Sequence, residues 1–163
     1  MRIKINKNDG GFTLLEVILV LIFISIFATI AVSRQANPDV SLTAAAEVLK
    51  AHIRYAQMRA MNSTIPWGVH AQAGTSYWLF NGTDTGNRQY FPGESEDSVY
   101  LEAEDILIEP GEFTIQFDPW GVPGVFLSDN NLFDPFDGPT TLTLTYGSEG
   151  TSITIIENTG FVR

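Results

Sequence analysis

Residues 10–33 read GGFTLLEVILVLIFISIFATIAVS, and this stretch decides how the rest of the chain is organised. Seventeen of the 22 residues from 12 to 33 are apolar, and Glu16 is the one charged residue among them. As a helix, these residues would extend about 33 Å, enough to cross a bilayer core of about 30 Å. Three basic residues precede the segment, so we predict a transmembrane half-helix over residues 12–33 with a cytoplasmic N-terminus.

Glu16 is the residue that an ordinary membrane anchor does not explain. A carboxylate at the centre of a spanning helix costs about 2.5–3.5 kcal/mol, although the helix dipole favours a negative charge in the first turn. A hydrated first-turn carboxylate is therefore one interpretation, and a carboxylate with a dedicated partner is the other. A secretory signal fits poorly, because its apolar region is shorter and ends at an A-x-A-like cleavage site.

The residues around Glu16 resemble the type IV prepilin signal. The match comprises a short basic leader, the motif GGFTLLE at residues 10–16, and the apolar run behind it. The resemblance implies that a prepilin peptidase removes residues 1–11 by cutting after Gly11, and that Phe12 becomes the methylated N-terminus. It also implies that Glu16 meets the Phe12 ammonium of a neighbouring subunit in a filament, where opposite charges attract strongly in a low dielectric.

The next segment has the pattern of an amphipathic helix. Its apolar residues recur every three or four positions, which makes one continuous stripe. We predict that this half-helix covers residues 34–63, with an interruption at Pro38, and that its stripe packs against a sheet. The residues of the stripe are Leu42, Ala46, Leu49, Ile53, Ala56 and Ala60.

Residues 64–163 are predicted to form a β-rich head. Short runs of β-branched and aromatic residues alternate there with Gly, Pro, Asp and Asn, and residues 82–97 read as a solvated loop. The fold class is therefore α+β, with one long N-terminal helix packed on an antiparallel sheet. The predicted strands are Trp67–Gln72, Ser76–Asn81, 99–101, 106–108, Phe113–Phe117, 125–127, Thr140–Tyr146 and 152–156.

Three motifs of the head resemble the GspH/FimT group of minor pilins and pseudopilins. They are YAQMRA at residues 55–60 running into PWGV at 66–69, IQFDPWG at 115–121, and the ending 153–163 with Thr-Gly at 159–160. The resemblance implies a structural subunit that is processed by prepilin peptidase and assembles with other pilin-like subunits.

Charge and composition exclude several classes of function. Residues 34–163 hold six basic and 17 acidic residues, which does not suit a protein that binds the phosphate backbone, so no nucleic-acid partner is predicted. Some members of the GspH/FimT group look adapted for DNA uptake through C-terminal arginines, but here Phe161 occupies the position where a basic residue is expected, which leaves only Arg163. The chain has no cysteine, so thiol catalysis and disulfides are excluded.

No catalytic or cofactor site is predicted, and we expect a protein that is not an enzyme. His52 and His70 have no metal-ligating residues near them in sequence, so both are expected at the buried edge of the head or on its surface. The DPWG sequence at 118–121 is expected to be a turn with Trp120 in the core. The run Asp129-Asn130-Asn131, with Asp134 and Asp137, has calcium-type oxygen ligands but lacks EF-hand spacing, so a solvated turn is the favoured interpretation.

The sequence thus favours a subunit of a type II secretion pseudopilus, with the tip as one candidate position. The alternative is a minor pilin of a type IV pilus, and a membrane-tethered binding module that never polymerises is less favoured. The expected location is the bacterial inner membrane with a periplasmic head, followed by transfer into the fibre.

Overall fold

The computed structural model describes four stretches of the chain, residues 13–33, 38–101, 105–127 and 132–163. The chain divides into two units between residues 37 and 38. The first unit contains helix α1 (Leu14–Ser33), and the second contains helix α2 (Pro38–Met61) followed by the strands of the head. The predicted leader and the Gly11–Phe12 junction lie outside the described residues.

Helix α1 begins at a threonine cap. The backbone N–H of Glu16 donates to Thr13 Oγ1 at 3.3 Å, which satisfies a first-turn donor that has no partner within the helix. The side chains from Leu14 to Phe27 are exposed all around α1. Within the described part of the chain, no helix is long and apolar enough to span a membrane. The transmembrane half over residues 12–33 stays a prediction.

Helix α2 buries the stripe that its sequence predicts. Each of the six stripe residues is at most 1% exposed. The helix packs with this face on strands of both sheets of the head, so the stripe forms the centre of the core. The helix starts at Pro38, where the missing N–H of proline costs no helical hydrogen bond, and it ends at Met61, close to the predicted end at residue 63.

Ten strands follow α2 in the described residues, and all their pairings are antiparallel. They are β1 (Trp67–Gln72), β2 (Ser76–Asn81), β3 (Arg88–Gln89), β4 (Val99–Tyr100), β5 (Leu107–Glu109), β6 (Phe113–Phe117), β7 (Pro123–Phe126), β8 (Phe133–Pro135), β9 (Thr140–Tyr146) and β10 (Glu149–Ile155). The larger sheet has the order β3-β2-β1-β6-β7-β8, with β4 also paired to β2, and the smaller sheet has the order β10-β9-β5.

The hairpin of β1 and β2 links the two sheets. Its turn uses Ala73 and Gly74, both at positive φ, and pairs Gln72 with Ser76 as the sequence predicts. The carbonyl of Gly74 accepts the N–H of Ile108 in β5 at 2.8 Å. The tip of the larger sheet is therefore fixed to an edge strand of the smaller one.

The α+β fold class predicted from sequence is confirmed, and some strand boundaries differ. Strand β3 lies inside the predicted loop over residues 82–97, and strand β8 was not predicted. Strand β7 begins two residues earlier than predicted and β10 three residues earlier. Such short or polar strands are defined by backbone pairing to a neighbour, and their side chains do not alternate in a way that sequence could reveal.

Candidate functional site

Three segments that are distant in sequence meet around the side chain of Gln57. Its Nε2 donates to the carbonyl of Gly121 at 2.9 Å and to the carbonyl of Thr159 at 2.8 Å. Gln57 lies on α2, Gly121 in the turn after β6, and Thr159 in the segment after β10. Each belongs to one of the three motifs that resemble the GspH/FimT group, so the structure brings those motifs together. We call this contact the Gln57 junction.

Gly160 completes the Gln57 junction because no side chain fits there. Its φ is +62°, in the left-handed region. A Cβ at this position would lie 2.5 Å from the Gly121 carbonyl oxygen and closer still to Gln57 Nε2. Both neighbours are held in place, the first as backbone and the second by its two hydrogen bonds. The close approach of the C-terminal segment to α2 therefore requires glycine.

The turn at residues 118–121 is rigid and presents Trp120 to solvent. Asp118 Oδ1 accepts the N–H of Trp120 at 2.9 Å and the N–H of Val122 at 2.8 Å, while the N–H of Gly121 donates to the Asp118 carbonyl at 2.9 Å. The Trp120 side chain is 81% exposed. The predicted turn is therefore confirmed, but the prediction that Trp120 fills the core is wrong. The carboxylate holds the backbone in a tight loop that directs this side chain outward, and Phe117 is the aromatic residue buried beside the turn.

The C-terminal segment is part of the fold. Val162 is buried, pairs with Ile155 through a β-bridge, and accepts a hydrogen bond from Arg54 Nη2 on its carbonyl at 2.7 Å. The backbone of Arg163 exchanges two hydrogen bonds of 3.0 Å with Thr154. The side chains of Phe161 and Arg163, on either side of Val162, are exposed.

His52 and His70 are packed among other side chains of the head. His52 Nδ1 lies 3.0 Å from the Tyr77 hydroxyl, and its ring stacks on Phe91 at a centroid distance of 3.9 Å. Burial lowers the pKa of His52 to about 4, so the ring is neutral near neutral pH. His70 Nδ1 lies 2.7 Å from Thr114 Oγ1, and burial lowers its pKa as well. The expected placement of both histidines is confirmed.

The fold has a counterpart among solved structures. The crystal structure of the type IV minor pilin FimU from Pseudomonas aeruginosa is similar, with a TM-score of 0.52, 15% sequence identity, and coverage of 77% of this chain and 88% of FimU. The chain has a pilin-like fold. A second crystal form of FimU gives a TM-score of 0.49 at 15% identity, over 75% of this chain and 90% of FimU. The sequence matches no protein-family model and no curated protein.

The assembly residue predicted for this pilin-like chain lies in α1. Glu16 is exposed in the first turn, and Val17, Val20 and Leu21 surround it with apolar surface. The role of Glu16 in assembly stays a prediction. The processing residues Gly11 and Phe12 lie outside the described residues, so their role stays a prediction.

The candidate calcium loop is described only in part. Asp129, Asn130 and Asn131 lie outside the described residues, while Asp134 and Asp137 lie inside them. Among the residues that the structure does describe, no group of three or more His, Asp or Glu side chains could hold a metal ion. The choice between a calcium ligand and a solvated turn stays a prediction.

Sequence reasoning identified the motifs of the Gln57 junction but missed what joins them. The outward position of Trp120 could have been predicted from sequence. An Asp two residues before it can accept backbone N–H groups in an Asx-turn and thereby fix the loop. The role of Gln57 had no comparable signal, since its two partners are backbone carbonyls 64 and 102 residues away.

Proposed function

We propose that this chain is a structural minor pilin or pseudopilin that is held in the bacterial inner membrane and then assembled into a fibre. The observation that carries the proposal is the placement of Glu16 in the first turn of an apolar helix that is exposed on all sides. Such a helix needs a lipid or protein environment around it, and a carboxylate there needs a cationic partner. The pilin-like fold of the head supports the same function. The proposal assigns no enzymatic activity.

The proposed processing supplies that cation. Cleavage after Gly11 by a prepilin peptidase would create a new α-ammonium on Phe12, four residues before Glu16. In a fibre, Glu16 can pair with the Phe12 ammonium of a neighbour. This pairing would favour one axial register between subunits.

Mass analysis of the N-terminus tests the processing step. The chain purified from its own host should lack residues 1–11 and carry one methyl group on Phe12. Coexpression in a heterologous host with and without a prepilin peptidase provides the control. A chain that keeps Met1 in the presence of an active peptidase would contradict the proposal.

Substitution of Glu16 tests the assembly step. Glu16→Ala should still insert into the membrane but should be depleted from sheared fibres about tenfold, since it removes the partner of the neighbouring ammonium. Glu16→Asp, which keeps the charge, should retain most incorporation. Val20→Ala, on the same apolar helix, is the matched control and should be incorporated normally. Normal incorporation of Glu16→Ala would refute the pairing role.

Two machines are candidates for the fibre. The first is a type II secretion pseudopilus, and the second is a type IV pilus, the kind of fibre named for the structurally similar FimU. Deletion of the gene in its host separates them. Loss of secreted enzymes with intact pili supports the first candidate, and loss of surface pili with intact secretion supports the second.

A further inference from the structure

We propose that the rings of His52, Tyr77 and Phe91 form an acid-sensitive latch, which holds residues 90–97 against α2 and releases them while the rest of the head stays folded. Residues 90–97 lead from β3 toward β4, and we call them the latch segment. The latch belongs to the head alone and would work whether or not the chain assembles into a fibre.

The latch segment is fastened to α2 at one point. Phe91 is 2% exposed, whereas Asp97 is half-buried and the other six residues are exposed. The Glu94 N–H donates to the Phe91 carbonyl at 3.2 Å, a bond that stays within the segment. At the far end, Asp97 lies 3.8 Å from Arg88 and accepts the hydroxyl of Ser98 at 2.9 Å. A segment with a single buried side chain can open locally, so the packing of Phe91 determines whether its middle stays on the head.

Three rings from different parts of the head meet at this point. The ring of Phe91 stacks on that of His52, with centroids 3.9 Å apart and planes at 8°, and meets the edge of Tyr77 at 5.9 Å. His52 Nδ1 lies 3.0 Å from the Tyr77 hydroxyl. His52 and Tyr77 are 7% and 1% exposed. The cluster therefore joins α2, β2 and the latch segment through one largely buried imidazole.

The surroundings of His52 offer no compensation for a positive charge. Tyr77 is the titratable group that touches its ring from β2; burial raises the pKa of Tyr77, and Glu94 of the latch segment raises it further. The residues one turn away on α2, at positions 48, 49, 55 and 56, are uncharged, and Tyr55 is the titratable one among them. Within the described residues, no carboxylate lies within 4.0 Å of His52. A proton on this ring therefore disfavours the latched conformation.

The direction of the pH effect follows from linkage. Burial lowers the pKa of His52 to about 4 from its usual 6.5, and a ring released into water regains the usual value. Between these values the released conformation binds a proton more readily, so the latch is complete above pH 6.5 and weakens as the pH falls toward 4. The ratio of released to latched molecules should rise about 70-fold between pH 7.5 and pH 4.5.

Release of the latch segment would open the head beside α2. A groove of about 320 Å³ lies there, with Ala45 and Val48 of α2 on one side and Val99 and Tyr100 of β4 on the other. Tyr77 lines this groove and also touches Phe91. Departure of Phe91 would therefore extend the groove toward His52 and expose aromatic surface that is covered at neutral pH.

Fluorine NMR of the full chain in detergent micelles tests the latch. Replacement of Phe91 by 4-fluorophenylalanine places the probe on the ring itself, where stacking on His52 shifts its resonance. As the pH falls from 7.5 to 4.5, we expect the signal to change from the stacked to the solvated position. The Hε1 resonance of His52 in the same sample should titrate with the same midpoint, between pH 4 and 6.5.

Two variants and two native signals serve as controls. The indole N–H resonances of the buried Trp67 and Trp78 should keep their native positions, which shows that the head stays folded. His52→Gln keeps a flat side chain that can bond to Tyr77 but takes up no proton, so its fluorine signal should stay stacked to pH 4.5. His70→Gln is the matched control and should keep the transition. His70 also has a lowered pKa, but it contacts Thr114 outside the latch.

Three outcomes would overturn the latch. A fluorine signal that stays stacked to pH 4.5 in the parent chain would show that charged His52 remains on Phe91 as a cation–π pair. Release with an unchanged midpoint in His52→Gln would assign the effect to another group. Release that coincides with loss of the native Trp67 and Trp78 signals would be global unfolding.

The parent chain also gives a test that needs no variant at position 52. If His52→Gln lacks the stacked signal even at pH 7.5, the two midpoints of the parent chain still decide the matter. Equal midpoints for the His52 and fluorine signals support the latch, and midpoints more than about one pH unit apart overturn it. None of these outcomes bears on cleavage after Gly11 or on Glu16, so the proposed function stands or falls separately.

Discussion

Gly160 is the residue whose conformation holds the Gln57 junction together, and Gly160→Ala should destabilise the head by about 2–5 kcal/mol. The left-handed backbone contributes about 1–3 kcal/mol of this and the overpacked Cβ a similar amount. Chemical unfolding followed by tryptophan fluorescence measures the loss. Gly138→Ala is the matched control, because a Cβ there would have nothing within 4 Å, and it should change stability by less than about 0.5 kcal/mol. Similar stabilities of the two variants would mean that the junction is not tightly packed.

His52 should make the stability of the head depend on pH. Its folded pKa is about 4 and its usual value is 6.5, so the unfolded chain binds a proton more readily than the folded chain between these values. This contribution to stability is complete above pH 6.5 and is lost as the pH falls toward 4. His52→Gln, which can still bond to the Tyr77 hydroxyl, should therefore show a flatter pH dependence than the parent chain in urea titrations over this range. Parallel pH profiles would show that His52 does not titrate on unfolding.

At the scale of elements, α2 is held by its buried stripe more than by its helix propensity. Leu49 is fully buried, so Leu49→Ala should cost about 2–5 kcal/mol through lost burial and a residual cavity. Its neighbour Val48 is 43% exposed, and Val48→Ala should cost less than about 1 kcal/mol. Urea unfolding of the two variants measures the difference. Equal losses would imply that the stripe does not form the core.

Elements that are defined by the spacing of their side chains could be predicted from sequence, and elements that are defined by backbone pairing could not. The stripe of α2 and the boundaries of β9 could be predicted because burial appears directly in the spacing of side chains. The boundaries of β6 were also predicted, although four of its five residues are buried. Strand β3 has two residues, which pair with Leu79 and Phe80 through their backbones alone, so no spacing could reveal it. The outward position of Trp120 depends on hydrogen bonds of Asp118 that compete with the general tendency of tryptophan to be buried.

At the scale of the whole molecule, the acidic head should not bind DNA. After Ala60 the chain has two basic and 15 acidic residues, so its field repels a polyanion before contact. A gel-shift titration of the chain with duplex DNA at physiological salt should show no complex at micromolar protein, with a basic DNA-binding domain as the positive control. Salt-sensitive binding in that range would contradict this prediction and favour a DNA-uptake pilus.

The hydrogen bonds that join α2 to the C-terminal segment also determine when the head can fold. Arg54 and Gln57 bond to residues 108 and 102 positions later, so these contacts cannot form until residues 159–162 have been synthesised. Contacts this distant in sequence slow folding, because a long loop must close before they contribute. The fastening of α2 to the C-terminal segment therefore makes compaction of the head a late event, which waits for the synthesis of residue 162.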